Sequence, residues 1–271
     1  MKLTEGEQAS GVEKYYRGKQ GLDCYLKIME GSNYLSGGNI KDTQVARRIA
    51  EEAMAMCPEN PVAYLLMGQL HSMEYWLRLG KSLQESIEKG MDLIQKALAM
   101  DNSLCDAHCL LSNFYSLKRD HEKAIAAGER AVALEPGGAH AHFAYGMSLN
   151  YGGRSEEAIP VLQKAIRLNP LGETGSFVQL GHAYRVTGRF EEAVSAYKKV
   201  LQRSPDNIFA HYSLAATYIW LGHEKEARVE AEEVLRINPK FQLDYLTKGS
   251  VWKDQSVVDN LVDALRKAGL K

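Results

Sequence analysis

The chain has 271 residues, 45% hydrophobic and 25% charged, with a formal net charge of -1. That balance excludes a disordered, collagenous or disulfide-dense secreted chain, and near-neutrality leaves no basic footprint for nucleic acid. No apolar run approaches the ~20 residues needed to span a bilayer.

Residues 1–20 are polar: Lys2, Glu5, Glu7, Glu13, Lys14, Arg17 and Lys19 interrupt them, so they read as a leader or linker without a signal peptide. Four cysteines (Cys24, Cys57, Cys105 and Cys109) are too few for a disulfide framework. The expected compartment is the reducing cytoplasm.

From residue 21 onward the chain repeats. Helix-ending sites recur at Pro58, Asn102, Pro136, Pro170, Pro205 and Pro239, spaced 44, 34, 34, 35 and 34. A 34-residue period with one ten-residue insertion predicts stacked helix pairs. The first repeat (21–58) has Gly31 and Tyr34, then Ala46, Ala50, Ala53 and Pro58. The second (59–104) opens with Tyr64, Met67 and Gly68 and resumes only at Gly90, Ile94 and Ala97. Its insertion, residues 74–90, lengthens both helices into a projecting hairpin that carries Tyr75 and Trp76. Those rings either form an exposed docking tip or pack between the longer helices.

The third repeat (105–138) has His108, Leu111, Ser112 and Tyr115, then Ala124, Gly128 and Ala131. The fourth (139–173) has His142, Tyr145, Gly146 and Leu149, then Ala158, Leu162 and Ala165, with Pro160 expected to bend a helix capped by Ser155. In the fifth (174–207), Phe177, Leu180, Gly181 and Tyr184 share one helical face. Gly188 breaks the chain, and Ala193, Tyr197 and Val200 line the next helix. The sixth (208–241) has His211, Leu214, Ala215 and Tyr218, then Ala227, Ala231 and Val234. In residues 242–271, Val257, Val258, Leu261, Val262 and Leu265 predict a last helix from about Asp254 to Gly269 that covers the open end.

The pattern aromatic-x-x-Leu-Gly-x-x-Tyr, then Ala-x-x-x-aromatic, then Pro resembles the tetratricopeptide repeat. The expected fold is all-α, a right-handed superhelical solenoid of about six helix-turn-helix repeats with a C-terminal capping helix. The resemblance implies a concave groove lined by the first helix of each pair, with a protein or peptide as partner. Carried onto this chain, the groove positions include Asn113, Phe143, Met147, Asn150, Tyr151, His182, Arg185, Tyr212 and Trp220. The aromatic and thioether groups suit an apolar anchor, while Asn113, Asn150, His182 and Arg185 suit peptide backbone or a carboxylate. The lysine slots of the chaperone-binding subclass hold Leu65, Cys109, Phe143, Val178 and Tyr212, so that specificity is not expected.

Enzymatic motifs fail. Gly80-Lys81-Ser82 lacks the first glycine of a phosphate loop, and His121-Glu122 and His223-Glu224 lack a second histidine. No convergent nucleophile, base and oxyanion donors can be named, so no catalytic residue, metal or cofactor is expected. Cys105, His108 and Cys109 share a helical face but read as packing residues. His108, His142 and His211 occupy one repeat slot, where they read as aromatics with a polar tip, since helices stand roughly 10 Å apart and one ion cannot bridge them.

Longer strings, among them "LTEGEQA" at 3–9, "GLDCYLKIMEG" at 21–31 and "LGHAYRVTGRFEEAVSAYKKVLQRSPDN" at 180–207, resemble the C-terminal repeat region of bacterial adenylate/guanylate cyclase-like proteins. This resemblance implies a non-catalytic regulatory tail of a larger bacterial signalling protein, since the cyclase domain itself is not in this sequence. The other readings are a free-standing scaffold and a self-association module forming a homodimer. Neither nucleic acid nor membrane is an expected partner.

Overall fold

The computed structural model describes residues 15–36, 40–77, 79, 82–172 and 174–271. Among them the regular elements are helical, with no strand. In chain order they are α1 (Gly18–Ser36), α2 (Ile40–Met56), α3 (Pro61–Leu77), α4 (Leu83–Met100), α5 (Cys105–Leu117), α6 (His121–Leu134) and α7 (Ala139–Tyr151). There follow α8 (Ser155–Leu168), α9 (Gly175–Val186), α10 (Phe190–Leu201), α11 (Ile208–Trp220), α12 (Glu224–Ile237), α13 (Asp244–Thr247) and α14 (Ser256–Ala268). They form a helical-repeat solenoid that divides into two compact units. Unit one takes in the described residues up to 118 together with 126–144, and unit two takes in 119–125 together with 145–271.

In unit one each of α1 to α4 packs on its successor, and α3 also meets α1 and α5. Small residues permit this: Ala46 and Ala50 are wholly buried beside Leu35, Leu66 and Leu70, and Ala53 is wholly buried beside Cys24, Ile28 and Ala63. The leader expected over residues 1–20 lies outside the described residues as far as 14. Beyond that it is structured: α1 starts at Gly18, Tyr16 sits edge-on to Tyr25, and the Tyr15 hydroxyl donates to Asp101 Oδ2 at 2.6 Å. Cys24 and Cys57 form a disulfide joining α1 to the residue after α2, a pairing that the sequence reading did not include. No described helix is long and apolar enough to cross a membrane.

The second pair, α3 and α4, has 17 and 18 residues, longer than α5 at 13 but no longer than the first pair at 19 and 17. The rings of the insertion divide. Tyr75 is 8% exposed and packed inside, so it is not a docking tip, whereas the Trp76 indole is 37% exposed. Beside them Glu74 is buried, which by itself raises a carboxyl, but hydrogen bonds from His71 and Arg47 hold it below its ordinary value. Of the phosphate-loop triad, Gly80 and Lys81 lie outside the described residues, and Ser82 caps α4 by accepting from the Glu85 amide.

The first aromatic slot has a common task. The Tyr64 hydroxyl donates to the Pro58 carbonyl at 2.8 Å, and Nε2 of His108, His142 and His211 bonds the carbonyls of Asn102, Pro136 and Pro205 at 3.1, 3.0 and 2.8 Å. In every case the partner lies six residues back, so the ring fills the gap between helices while its tip satisfies a turn carbonyl. Phe177 has no such tip. In its repeat Arg203 lies 5.1 Å over the ring and donates to the Pro170 carbonyl at 2.7 Å.

In unit two, α9 packs on α8, α10 and α11, while α11 packs on α10, α12 and α14. A Cβ on Gly181 would overlap the Tyr197 ring, which is fully buried, so α9 and α10 approach only because that position is glycine. α8 runs on through Pro160, which is exposed. Its N-cap is Arg154 rather than the expected Ser155, which is the first helical residue. α14 buries Val258, Leu261, Val262 and Leu265 against α11 and α12 and ends at Gly269, whose φ of 106° only glycine adopts readily.

Candidate functional site

The conspicuous site belongs to unit two and is built on α9. Residues 178, 182 and 185 lie one helical turn apart, and adjacent Gln179 extends the same face toward α7. The Asn150 amide donates to the Gln179 carbonyl at 2.8 Å, and the Gln179 amide donates to the Tyr151 hydroxyl at 2.9 Å. On the other side, Arg185 lies 5.6 Å from the Trp220 ring of α11. Tyr197 of α10 lies under His182, with ring centroids 5.8 Å apart.

Over these residues runs a segment between α13 and α14. Its Trp252 ring lies 5.2 Å from Tyr151, 6.1 Å from His182 and 5.9 Å from the Arg185 guanidinium. The Lys253 amide donates to the Tyr151 carbonyl at 2.8 Å, and Arg119 Nη1 donates to the Ser250 carbonyl at 3.2 Å. Nearby, Phe241 stacks on Tyr212 at 6.2 Å.

This cover buries the cradle. Burial, reinforced by the Arg185 charge, pushes the His182 imidazole down to about 3, so it is neutral. Burial pushes the Tyr197 phenol up to about 12, although Arg185 and Ser213 beside it pull the other way. The Tyr212 phenol is also raised, by burial and by Tyr151 and Tyr197. Asn150 Oδ1, His182 Nδ1 and Arg185 Nε face no hydrogen-bond partner among the described residues.

Of the groove positions carried over from the repeat family, Asn150, Tyr151, His182, Arg185, Tyr212 and Trp220 therefore surround one another in unit two. Met147 belongs to the same unit and is buried. Asn113 and Phe143 belong to unit one, where Asn113 Oδ1 accepts from the Ser72 hydroxyl at 3.1 Å and Phe143 stacks on His140 at 6.3 Å. Sequence reasoning missed Trp252, Gln179 and Tyr197 as members of the cradle. Trp252 had a signal: a tryptophan in "KGSVWKDQ", a polar stretch with no helical period, is an anchor in need of a pocket.

Cys105 and Cys109 are buried in unit one with Sγ atoms 4.0 Å apart, packed among Ala131, Ala141 and Ala144. The Cys105 contact and burial raise the Cys109 thiol well above its ordinary value, which disfavours the thiolate that a metal requires. Donor atoms of Cys109, Asp106 and His140 lie within 4.8 Å of one another, but His140 already meets Asp106 at 3.1 Å on the exposed surface.

Family models for the tetratricopeptide repeat match residues 118–173 and 187–247. Among curated proteins, the chain is 24% identical to protein bimA of Emericella nidulans over 240 residues, covering 80% of this chain and 25% of bimA. It is 22% identical to anaphase-promoting complex subunit 3 of Schizosaccharomyces pombe, covering 81% and 33%. The chain thus spans a quarter to a third of the length of these relatives. Among solved structures it superposes on a chain of the APC/C hetero-tetramer with a TM-score of 0.66 at 17% identity, covering 90% of this chain and 48% of that one. Against the type IV pilus biogenesis factor PilW the TM-score is 0.57 at 21% identity, covering 76% and 90%. Residues 118–173 and 187–247 are thus similar to tetratricopeptide repeats, and they lie within a helical-repeat solenoid.

Proposed function

We propose that the chain is a non-catalytic protein-interaction module whose unit-two cradle, centred on Tyr151, His182, Arg185, Tyr212 and Trp220, holds an extended peptide of a partner protein. One observation carries the reading: the cradle accommodates Trp252 on a non-helical piece of chain, with that segment's amide bonded to the Tyr151 carbonyl. An aromatic anchor plus main-chain hydrogen bonds is how repeat surfaces read peptides. The test is panning a random peptide library against the purified chain, then measuring recovered peptides on a Tyr151→Ala/Trp220→Ala variant. The expected loss is tenfold or more, on the order of 1.4 kcal/mol or above; undiminished binding overturns the reading.

The wider setting proposed is the regulatory tail of a larger bacterial cyclase-like signalling protein acting in the cytoplasm, supported by the strings at 21–31 and 180–207. An antibody against this chain should detect a native product much heavier than 30.2 kDa. A band at that mass favours the free-standing scaffold instead. Self-association is a second reading, favoured by the exposed Trp76 indole; sedimentation of wild type and Trp76→Ala at rising concentration tests it, and a constant monomer mass rejects it.

A further inference from the structure

The least explained chemistry of the chain lies under Trp252. Arg185 is 6% exposed, and no described carboxylate forms an ion pair with it. A guanidinium keeps its charge when buried, and a buried charge ordinarily has a hydrogen-bonded counterion. Here two indole faces take that place, Trp220 at 5.6 Å and Trp252 at 5.9 Å, and Nε has no acceptor. A ring face is a weaker partner for this cation than a carboxylate held by two hydrogen bonds. His182 is neutral, so it does not neutralise Arg185, and its Nδ1 is unpartnered beside it.

The cover over these atoms is slight. Residues 250–253 are tied down by the buried Val251 and Trp252 side chains, by the Lys253-to-Tyr151 and Arg119-to-Ser250 hydrogen bonds, and by an exposed Lys253–Glu122 ion pair at 3.3 Å. α14 has its own apolar seat on α11 and α12, so the segment can leave without unseating that helix. The segment enters and leaves the cradle as a continuing chain, which means that the site accepts the interior of a peptide and not only an end.

We propose that Arg185 and His182 form a subsite for an acidic side chain, closed by Trp252, and that its occupant is an acidic extended peptide of a partner protein that displaces residues 250–253. This deepens the groove reading and rests on it. The occupant supplies the carboxylate that Arg185 lacks, and the site differs from the lysine clamp of the chaperone-binding subclass, whose slots are apolar here.

The test uses the full chain and fluorescein-labelled, amidated peptides of residues 249–256. The acidic probe carries Lys253→Glu, the neutral probe carries Lys253→Gln and Asp254→Asn, and a third, neutral throughout, ends in a free carboxylate. Trp252→Ala opens the site and should bind the acidic probe about tenfold tighter than wild type, because the open fraction no longer limits affinity. The neutral probe should gain less, and adding Arg185→Gln should abolish the difference between the two. Arg119→Gly is the second opening variant: it removes the hydrogen bond to Ser250 and relieves a φ of +61°, so its fold is secure, and it should give a smaller gain in the same direction.

Equal affinity of wild type and both opened variants, with Arg185 dependence kept, overturns the closure by Trp252. Equal binding of acidic and neutral probes overturns the acidic subsite, and preference for the free terminus overturns the side-chain source. In either case the groove reading stands. Binding of no probe to any variant, together with failure of the library-derived peptides, overturns both readings.

Discussion

At the scale of single residues, burial and Arg185 together push the His182 imidazole down to about 3 from an ordinary 6.5. The unfolded chain takes up a proton near 6.5 and the folded chain does not, so this contribution is whole above that pH and drains away as the pH falls toward 3. The slope is about 1.4 kcal/mol per pH unit, or roughly 2 kcal/mol lost by pH 5. Urea unfolding of His182→Gln should therefore show a flatter acid limb between pH 6.5 and 4 than wild type; parallel limbs would mean that His182 titrates normally. Gly181 gives a second expectation. Gly181→Ala forces its Cβ into the immobile Tyr197 ring and should cost about 1–3 kcal/mol, read as a lower urea midpoint. The sequence motif pairs a small residue on one helix with an aromatic on the next, which is why this contact was legible before any coordinates. The unpartnered atoms of Asn150, His182 and Arg185 were not, because they depend on what lies over them.

Among the elements, the periodic helices were the easiest to read and the connecting segment between α13 and α14 the hardest. A period of 34 leaves its mark in every repeat, whereas a single pass of residues 248–255 across unit two leaves only one unexplained tryptophan. Of the two rings carried by the insertion, one turns inward, since adjacent helical residues point about 100° apart and only one can face out. The disulfide was missed because two cysteines 33 apart in a repeat of 34 occupy near-equivalent positions, which spacing alone does not mark as a bond. Mass spectrometry of non-reduced peptides should find Cys24 linked to Cys57. Reduction, or replacing both with serine, should destabilise the α1–α2 region by roughly 4 kcal/mol, the entropy of a loop that size. Hydrogen exchange should localise the loss to residues 18–57, and unchanged protection there would remove the bond from the stability of unit one.

For the molecule as a whole, apolar burial is distributed rather than central. Each helix pair contributes a thin layer of alanines and a few large side chains, so stability comes from neighbour contacts along the stack. Such a layered architecture repeats its contacts with the period of the sequence. It also explains why composition and charge said little about function while periodicity said much.

Of the three tryptophans, Trp76 is exposed, Trp220 is half-buried and Trp252 is buried in the cradle beside a cation. Indole emission moves to longer wavelength as water reaches the ring. The chain thus carries its own optical gauge: a red shift lost on replacing Trp252 but kept on replacing Trp76 would follow the departure of residues 250–253 in real time, with no label attached.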